Sequence, residues 1–282
     1  MSYGLTYTPY NTNLFLNNSN GTPFDPDAQA FITAANITDS IQQNAINQFV
    51  IDLKIDNLWD KMKAIYPFVG GTAFSHKWNL KDPRNLNIAF RLIFNGGMTH
   101  SATGVLFNGT NGWADTSAIT STLAFGVYTR KITDNNADYI GSQSHVLVPN
   151  PPDPDDEFYI SGYHVNYAAY EISDLYNVQN TTNTIRTGLS SVCADGNQKY
   201  YKNGILKASN PISASSYGTL YYPGFNLAIG ATNPNSEGLP IYGYSNQEVA
   251  FGFIADNILT NLDNFNLYNR VQHLQAELSR EV

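Results

Sequence analysis

The chain predicts a mainly-β fold: a two-layer, jelly-roll-like antiparallel sandwich preceded by an extended arm and short helices and closed by a C-terminal helix. Three observations carry that expectation. From Thr72 onward, short β-rich runs are broken by Gly, Asn, Pro and Asp at intervals of about eight to twelve residues, the spacing of an antiparallel sandwich. Before it, Ile41, Ala45, Ile46, Phe49, Val50 and Leu53 recur at three- and four-residue steps, which lines one face of a helix. At the close, Leu262, Phe265, Leu267, Tyr268, Val271, Leu274 and Leu278 keep the same period. No fixed-period repeat points to a propeller or solenoid.

In chain order, residues 1–26 hold many Asn, Thr and Tyr and few aliphatics apart from Leu14-Phe15-Leu16, which predicts an arm that is ordered only when laid against something. Residues 27–66 form a helical segment. Pro23 and Pro26 lead into a brief helix over 27–35 that Asn36 suits as an end. A longer helix over 38–54 has Thr38 as its cap and Asp39 near its dipole. The pattern slips at Asp56-Asn57, and Leu58, Trp59, Met62 and Ile65 mark a short helix over 57–65 before Pro67 ends it. These helices are expected to close one end of the β-structure. The alternative is a subunit contact made through Phe15, Ile41, Phe49, Leu53 and Trp59.

The sandwich then occupies residues 67–282. Asn87 to Phe94 reads as a strand with Ile88, Phe90, Leu92 and Phe94 on one face. Thr122 to Lys131, "FYISGYHVNYAAYEIS" and "TIRTGLSSVCADG" are further strand candidates. Lys199 to Ser209 is a hairpin, because Asn203-Gly204 supplies two residues that tolerate positive φ in a type I′ turn. "FNLAIGA" and "EVAFGFIAD" supply later strands, and a helix over 262–279 follows.

At 282 residues the chain is long enough for one large β-domain with an N-terminal extension. Only 13% of residues are charged, the net charge is -8 and Lys and Arg form no cluster, which argues against nucleic acid and against an anionic membrane surface as partners. Cys193 is the single cysteine, which excludes an intramolecular disulfide, and it reads as a small apolar strand residue. The first residues show no basic segment followed by an apolar run, and no stretch is long enough to span a bilayer, so secretion through a cleaved signal is not expected.

Candidate chemistry is sparse. A sandwich glycosidase needs two carboxylates roughly 5 to 10 Å apart. The acidic run Asp153, Asp155, Asp156 and Glu157 is interrupted by Pro154 and reads as a solvated loop, and Glu171 stands alone, so an enzyme is not expected. The five histidines lack ligand spacing, Asp115 and Asp195 each have an ordinary turn role, and "NGTNG" lacks the lysine of a phosphate loop, so neither metal nor cofactor is expected. Sugar binding asks for aromatic faces beside amides and carboxylates. Trp113 beside Asn111 and Asp115, Tyr163 and Tyr167 around Asn166, Tyr217, Tyr221 and Tyr222 before Pro223, and Tyr242 and Tyr244 beside Asn246 supply both.

Two stretches resemble known proteins. "YKNGILKAS", "FNLAIGA" and "AFGFIADNILTNLDNFNLYNRVQHLQAELSR", in that order, resemble the closing third of concanavalin A-like (laminin G-like) sandwiches. Leu58 to Thr116, with "YPFVGG", "KDPR" and "NG…DT", is similar to a pattern in tailed-bacteriophage virion proteins. That resemblance implies a virion structural protein in a tail or head fibre or surface appendage. It further implies a homo-oligomer, a trimer by analogy with fibres, joined to other virion proteins through the arm, with host-surface polysaccharide as a further partner. A stand-alone lectin-like module and a polysaccharide-degrading hydrolase are the competing readings.

Overall fold

The computed structural model describes residues 21, 23–119, 124–131, 138–144, 156–161, 167–172, 181–182, 187–194, 197–211, 226–234 and 243–282. Helix α1 (Pro26–Ala34) is capped by Asp25, whose carboxylate accepts from Asp27 N and pairs with Lys54. Helix α2 (Ser40–Ile55) is capped by Asp39 rather than Thr38, the Asp39 carboxylate accepting from Gln42 N. Both helices end the same way. Asn36 and Asn57 take the left-handed conformation, Ile37 N donates to Ile32 O and Leu58 N donates to Leu53 O, so each end carries the paired bonds of a Schellman motif.

The expected helix over 57–65 is not there. With Asn57 spent as a cap, residues Trp59–Lys61 make one 3-10 turn and the chain enters strand β1 (Met62–Tyr66), which pairs with a strand near the far end of the sequence. Nearly all of β1 is buried, so its apolar residues show no strand alternation and were read with a helical period. A short helix α3 (Ala73–His76) follows, with a capping box between Thr72 and Ser75.

Asn87 to Phe94 is likewise not one strand. Asn87–Ala89 is a 3-10 turn, Phe90 is left-handed at φ 57°, and Ile88 is 75% exposed. The buried Asn79 amide holds this shape by donating to Ala89 O and Lys63 O while its oxygen accepts from Ile65 N. Only β2 (Ile93–Asn95) remains a strand. Then come β3 (Met98–Ser101), β4 (Gly104–Phe107), β5 (Trp113–Ile119), β6 (Ala124–Lys131), β7 (Asp138–Ser144), β8 (Asp156–Ser161), β9 (Tyr167–Ile172) and β10 (Thr181–Thr182). The rest are β11 (Gly188–Ala194), β12 (Asn197–Lys202), β13 (Ile205–Pro211), β14 (Asn226–Ile229), β15 (Thr232–Pro234) and β16 (Glu248–Ala255), and helix α4 (Asn261–Glu277) closes the fold behind a Thr260–Asp263 capping box.

The strands form two sheets. The first runs β13-β12-β11-β6-β16-β4-β3, with β1 also on β16, and the second runs β10-β9-β8-β7-β14-β5-β2, with β15 beside β7. Among the described residues every pairing is antiparallel except β15 with β7. The fold is therefore an antiparallel β-sandwich of the expected concanavalin A-like, jelly-roll class, with few helices, one of them C-terminal. The Asn203-Gly204 turn joins β12 to β13 as expected, both residues at positive φ and Lys202 facing Ile205.

The helices do not close one end of this sandwich; they cover the outer face of the first sheet over β1, β16, β6, β11 and β12. Phe251, Phe253, Tyr128, Leu189, Cys193 and Tyr201 pack towards α1, α2 and α4, while Phe125, Val127, Val192, Tyr200 and Ile254 pack inward against Ala114, Leu227 and Ile229 of the second sheet. The first sheet is thus buried on both faces, which is why β6 and β16 read as nearly unbroken apolar runs. Ala250 and Phe251 both face the helices because the register slips between Val249 and Phe251.

This arrangement corrects the subunit-contact alternative. Phe49, Leu53 and Trp59 are buried against the chain's own sheet, Phe49 meeting Phe251 edge-on at 5.6 Å, and none presents a free surface. Ile41 is 62% exposed and takes no part in that core. Phe15 lies outside the described residues.

Candidate functional site

β5 alternates cleanly. Ala114, Thr116 and Ala118 are buried towards the sandwich interior, and Trp113, Asp115 and Ser117 lie half-buried on the opposite, outer face of the second sheet. Thr116 fixes the strand by donating from Oγ1 to Leu227 O at 2.8 Å. Asp115 Oδ1 accepts from Ser117 N at 2.7 Å, and Oδ2 accepts from Asn226 Nδ2 at 3.2 Å. A carboxylate has about four acceptor sites, so capacity remains for a ligand hydroxyl. On the neighbouring edge strand, Ile93 pairs with Asp115 and Asn95 with Trp113.

The loop that delivers Trp113 is built on asparagine. Asn108 Oδ1 accepts from the backbone N–H groups of Thr110, Asn111 and Gly112, and Asn108 Nδ2 donates to Asn111 Oδ1, which also accepts from Gly97 N. The Asn111 oxygen is therefore spent on the loop itself. Glycine is required where two turns touch: a Cβ on Gly96 would lie 1.8 Å from Asn111 O, and one on Gly112 would lie 2.0 Å from Gly97 O. "NGTNG" is thus a rigid corner between the two sheets, and its amides hold Trp113 rather than a phosphate.

The same corner meets the segment after Gly243. Gly109 N donates to Ser245 O, Phe107 N to Gln247 O and Ser245 N to Gly230 O. Half-buried Tyr244 and Asn246 flank Ser245 in the segment bonded to this corner, so two of the aromatic-and-amide groups singled out in the sequence lie on adjoining segments. Tyr167 lies in β9, on the far side of the second sheet from Trp113. Tyr163, Tyr222 and Tyr242 lie outside the described residues, as do Asn166, Tyr217, Tyr221, Pro223 and Asp195.

The acidic residues need a correction. Asp156 and Glu157 do not belong to a loop; they open β8, and Glu171 belongs to the adjacent β9. Tyr159 pairs with Glu171, which puts Glu157 at a diagonal register position to Glu171, about 7–8 Å between backbone positions in such pairs.

Three buried polar groups carried no sequence signal. His76 Nδ1 lies 3.0 Å from His100 Nδ1, and burial, then His100 and Arg280, pull the His76 pKa down to about 3. Lys202 sits on the sandwich interior and donates to Ser190 Oγ at 3.0 Å, with burial pulling its pKa to about 7. Arg280 donates to Phe68 O, Pro67 O, Ala250 O and Gln275 Oε1. Their partners lie far away in sequence, so no local spacing announces them. Among the described residues, no group of three or more His, Cys, Asp or Glu is placed to hold a metal ion, and no helix is long and apolar enough to cross a membrane.

No family model matches the chain. No curated protein matches it in sequence. Among solved structures, it is similar to a mutant of Trypanosoma rangeli sialidase displaying trans-sialidase activity, at 13% identity and a TM-score of 0.46, covering 85% of this chain and 40% of that one. It is also similar to the Ruminococcus gnavus IT-sialidase CBM40 bound to α2,3 sialyllactose, at 14% identity and a TM-score of 0.43, covering 61% of this chain and 92% of that one. A structure of botulinum neurotoxin type C, whose cell entry depends on two ganglioside molecules, aligns at 13% identity and a TM-score of 0.48, covering 77% of this chain and 53% of that one. The chain spans less than half the length of the T. rangeli sialidases, and the likeness carries no residue role or substrate across. The expectation of a non-enzymatic chain is withdrawn: Asp156 and Glu157, assigned to a loop, open β8 next to the strand that carries Glu171, and sialidases stand among the structures named above.

Proposed function

We propose that this chain is a glycan-binding β-sandwich whose rim around Trp113 takes a saccharide. The observation that supports it is the bond from Gly109 N to Ser245 O, which joins the loop leading to Trp113 and Asp115 to the segment that carries Tyr244. Aromatic faces stack on the apolar side of a sugar ring, and the Asp115 carboxylate reads hydroxyls beside it. Trp113 is half-buried on a strand whose interior side chains are packed, so the indole is pre-oriented and little rotamer freedom is lost on binding. A panel of neutral and acidic oligosaccharides titrated into the chain tests this. Trp113→Ala weakens binding about tenfold or more with the circular dichroism spectrum unchanged. A wild-type chain that binds no saccharide ends the reading.

The diagonal register of Glu157 and Glu171 favours a second reading, hydrolysis of a glycosidic bond by a pair of carboxylates, since such pairs work at roughly 5 to 10 Å. Reducing ends released from a polysaccharide by the wild type, and not by Glu157→Gln or Glu171→Gln, are the expected result under it. No release by the wild type removes it.

As for setting, the virion role rests on the stretch Leu58 to Thr116 and its likeness to tailed-bacteriophage proteins. Under that reading the chain is an oligomeric fibre or appendage component, a trimer by analogy, that presents the Trp113 rim to a host-surface polysaccharide. Sedimentation of a stable monomer at virion-like concentrations counts against it.

A further inference from the structure

Beyond β2, at the edge of the sandwich, a small surface combines exposed aromatic and cationic groups. Phe74 on α3 is 52% exposed and meets the Trp78 ring edge-on at 5.8 Å. Lys77 Nζ lies 4.9 Å from the Phe74 ring centroid and 4.7 Å from that of Trp78. The bond from Leu92 N to Lys77 O, 2.8 Å, brings Arg91 alongside Lys77. Arg91 is oriented from behind, its Nε donating to Asn87 Oδ1 at 3.1 Å.

These two cations differ from six others among the described residues. Lys54, Lys61, Lys63, Arg84, Arg130 and Arg270 each pair with a carboxylate, whereas among the described residues no carboxylate lies within ion-pair distance of Lys77 or Arg91. In a chain of net charge -8, acidic groups are in excess, and two neighbouring cations without any leave an uncompensated positive spot. Burial, and then Arg91, lower the Lys77 pKa, which is the direction expected of two cations that lack an anion. Beside them, Trp78 Nε1 is buried and meets no acceptor among the described residues.

The surface is small, and that selects its occupant. Two cations fall short of the four to eight that lipid headgroup recognition uses, and a single exposed ring falls short of a protein interface of about 1,200 Å² or more. One sugar ring with one carboxylate matches both the area and the charge. We propose that Phe74, Lys77 and Arg91 form a subsite for a carboxylated sugar, the Phe74 ring taking its apolar face and the two cations its carboxylate. The inference rests on the glycan-binding reading for its ligand class but uses none of the residues of the Trp113 rim.

Titration of the full chain with oligogalacturonate, and with the same oligomer methyl-esterified, tests it. The acid form binds about tenfold more tightly than the ester at low salt, and the difference shrinks as salt screens it. Lys77→Gln and Arg91→Gln, which remove the charge but keep a polar side chain on a half-exposed surface, each bring the acid form towards the ester and leave the ester unchanged. Phe74→Ala weakens the acid form about fivefold. Equal binding of acid and ester, or a preference that survives the Lys77→Gln/Arg91→Gln double variant, overturns the subsite while leaving the Trp113 rim standing. A wild type that binds no saccharide of any kind overturns the broader reading and the subsite with it. Binding to phosphatidylserine vesicles with none to oligogalacturonate also overturns the subsite, in favour of a membrane.

Discussion

Replacing Arg280 by methionine tests how the C-terminal segment is held. Arg280 is 1% exposed, and its guanidinium donates at 2.9 Å to Gln275 Oε1, 3.0 Å to Phe68 O, 3.0 Å to Pro67 O and 3.2 Å to Ala250 O. It thus ties the end of α4 to the turn after β1 and to β16. Methionine fills much of the volume but donates nothing, so three carbonyls and one amide oxygen lose their partner, at about 1–3 kcal/mol for each that water does not reach. Against this stands the relief of a buried cation, whose cost shows in a pKa that burial pulls down to about 9. Four hydrogen bonds from a charged donor, at about 1.5–3 kcal/mol each, less the cost of burying that charge, leave a net loss of about 3–5 kcal/mol. With a urea slope of about 2–3 kcal/mol per molar, that moves the unfolding midpoint down by about 1–2.5 M. Equilibrium urea unfolding followed by tryptophan fluorescence measures it, with Arg280→Lys as a second variant that keeps the charge but loses the fork. A midpoint within about 0.3 M of wild type would refute the reasoning, because burial would then cost as much as the four bonds return.

Two further perturbations follow from the same buried features. His76, faced by His100 and Arg280, has a folded pKa of about 3 against an ordinary 6.5, so the unfolded chain takes up a proton that the folded one refuses. Its contribution is complete above pH 6.5 and is lost as pH falls towards 3, at up to about 1.4 kcal/mol per pH unit. Urea unfolding from pH 7 to 4 measures that slope, and His76→Leu flattens it; an unchanged slope in the variant assigns the effect elsewhere. Gly204 sits at φ 72°, and a Cβ there would lie 2.9 Å from Tyr268 Cβ and 3.0 Å from Phe265 Cα. Gly204→Val therefore costs about 2–3 kcal/mol in thermal unfolding, and a loss below about 0.5 kcal/mol would show that the hairpin tip moves freely off α4.

Where a signal was local, the sequence carried it. The Asn203-Gly204 hairpin, α1, α2 and α4, and strands β6 and β16 all follow from turn chemistry or an apolar period contained in one short window. Where long-range contacts decide the conformation, the same cues misled. Met62–Tyr66 is a strand because Gly252–Ala255 is available to pair with it, and Phe90 turns left-handed because the buried Asn79 amide claims Ala89 O. The helix stripe at Phe49 and Leu53 was correctly read as buried, yet nothing in it could say that the burying surface is a sheet of the same chain. The candidate site divides in the same way. Trp113 and Tyr244 each stand out beside asparagines, but the meeting of their segments depends on the bond between Gly109 and Ser245. Lys77 and Arg91 belong to no run of basic residues, and their pairing depends on the bond between Leu92 and Lys77.

β16 occupies the middle of the first sheet, with β6 along one edge and β4 and β1 sharing the other, although it follows all three in sequence. During synthesis on the ribosome, β1, β4 and β6 must wait until Glu248–Ala255 has emerged before their common neighbour arrives. Until then their apolar faces and open hydrogen-bonding edges are a hazard for self-association. Growth at lower temperature or chaperone co-expression should therefore raise the soluble yield, whereas truncations that lack Glu248–Ala255 should precipitate.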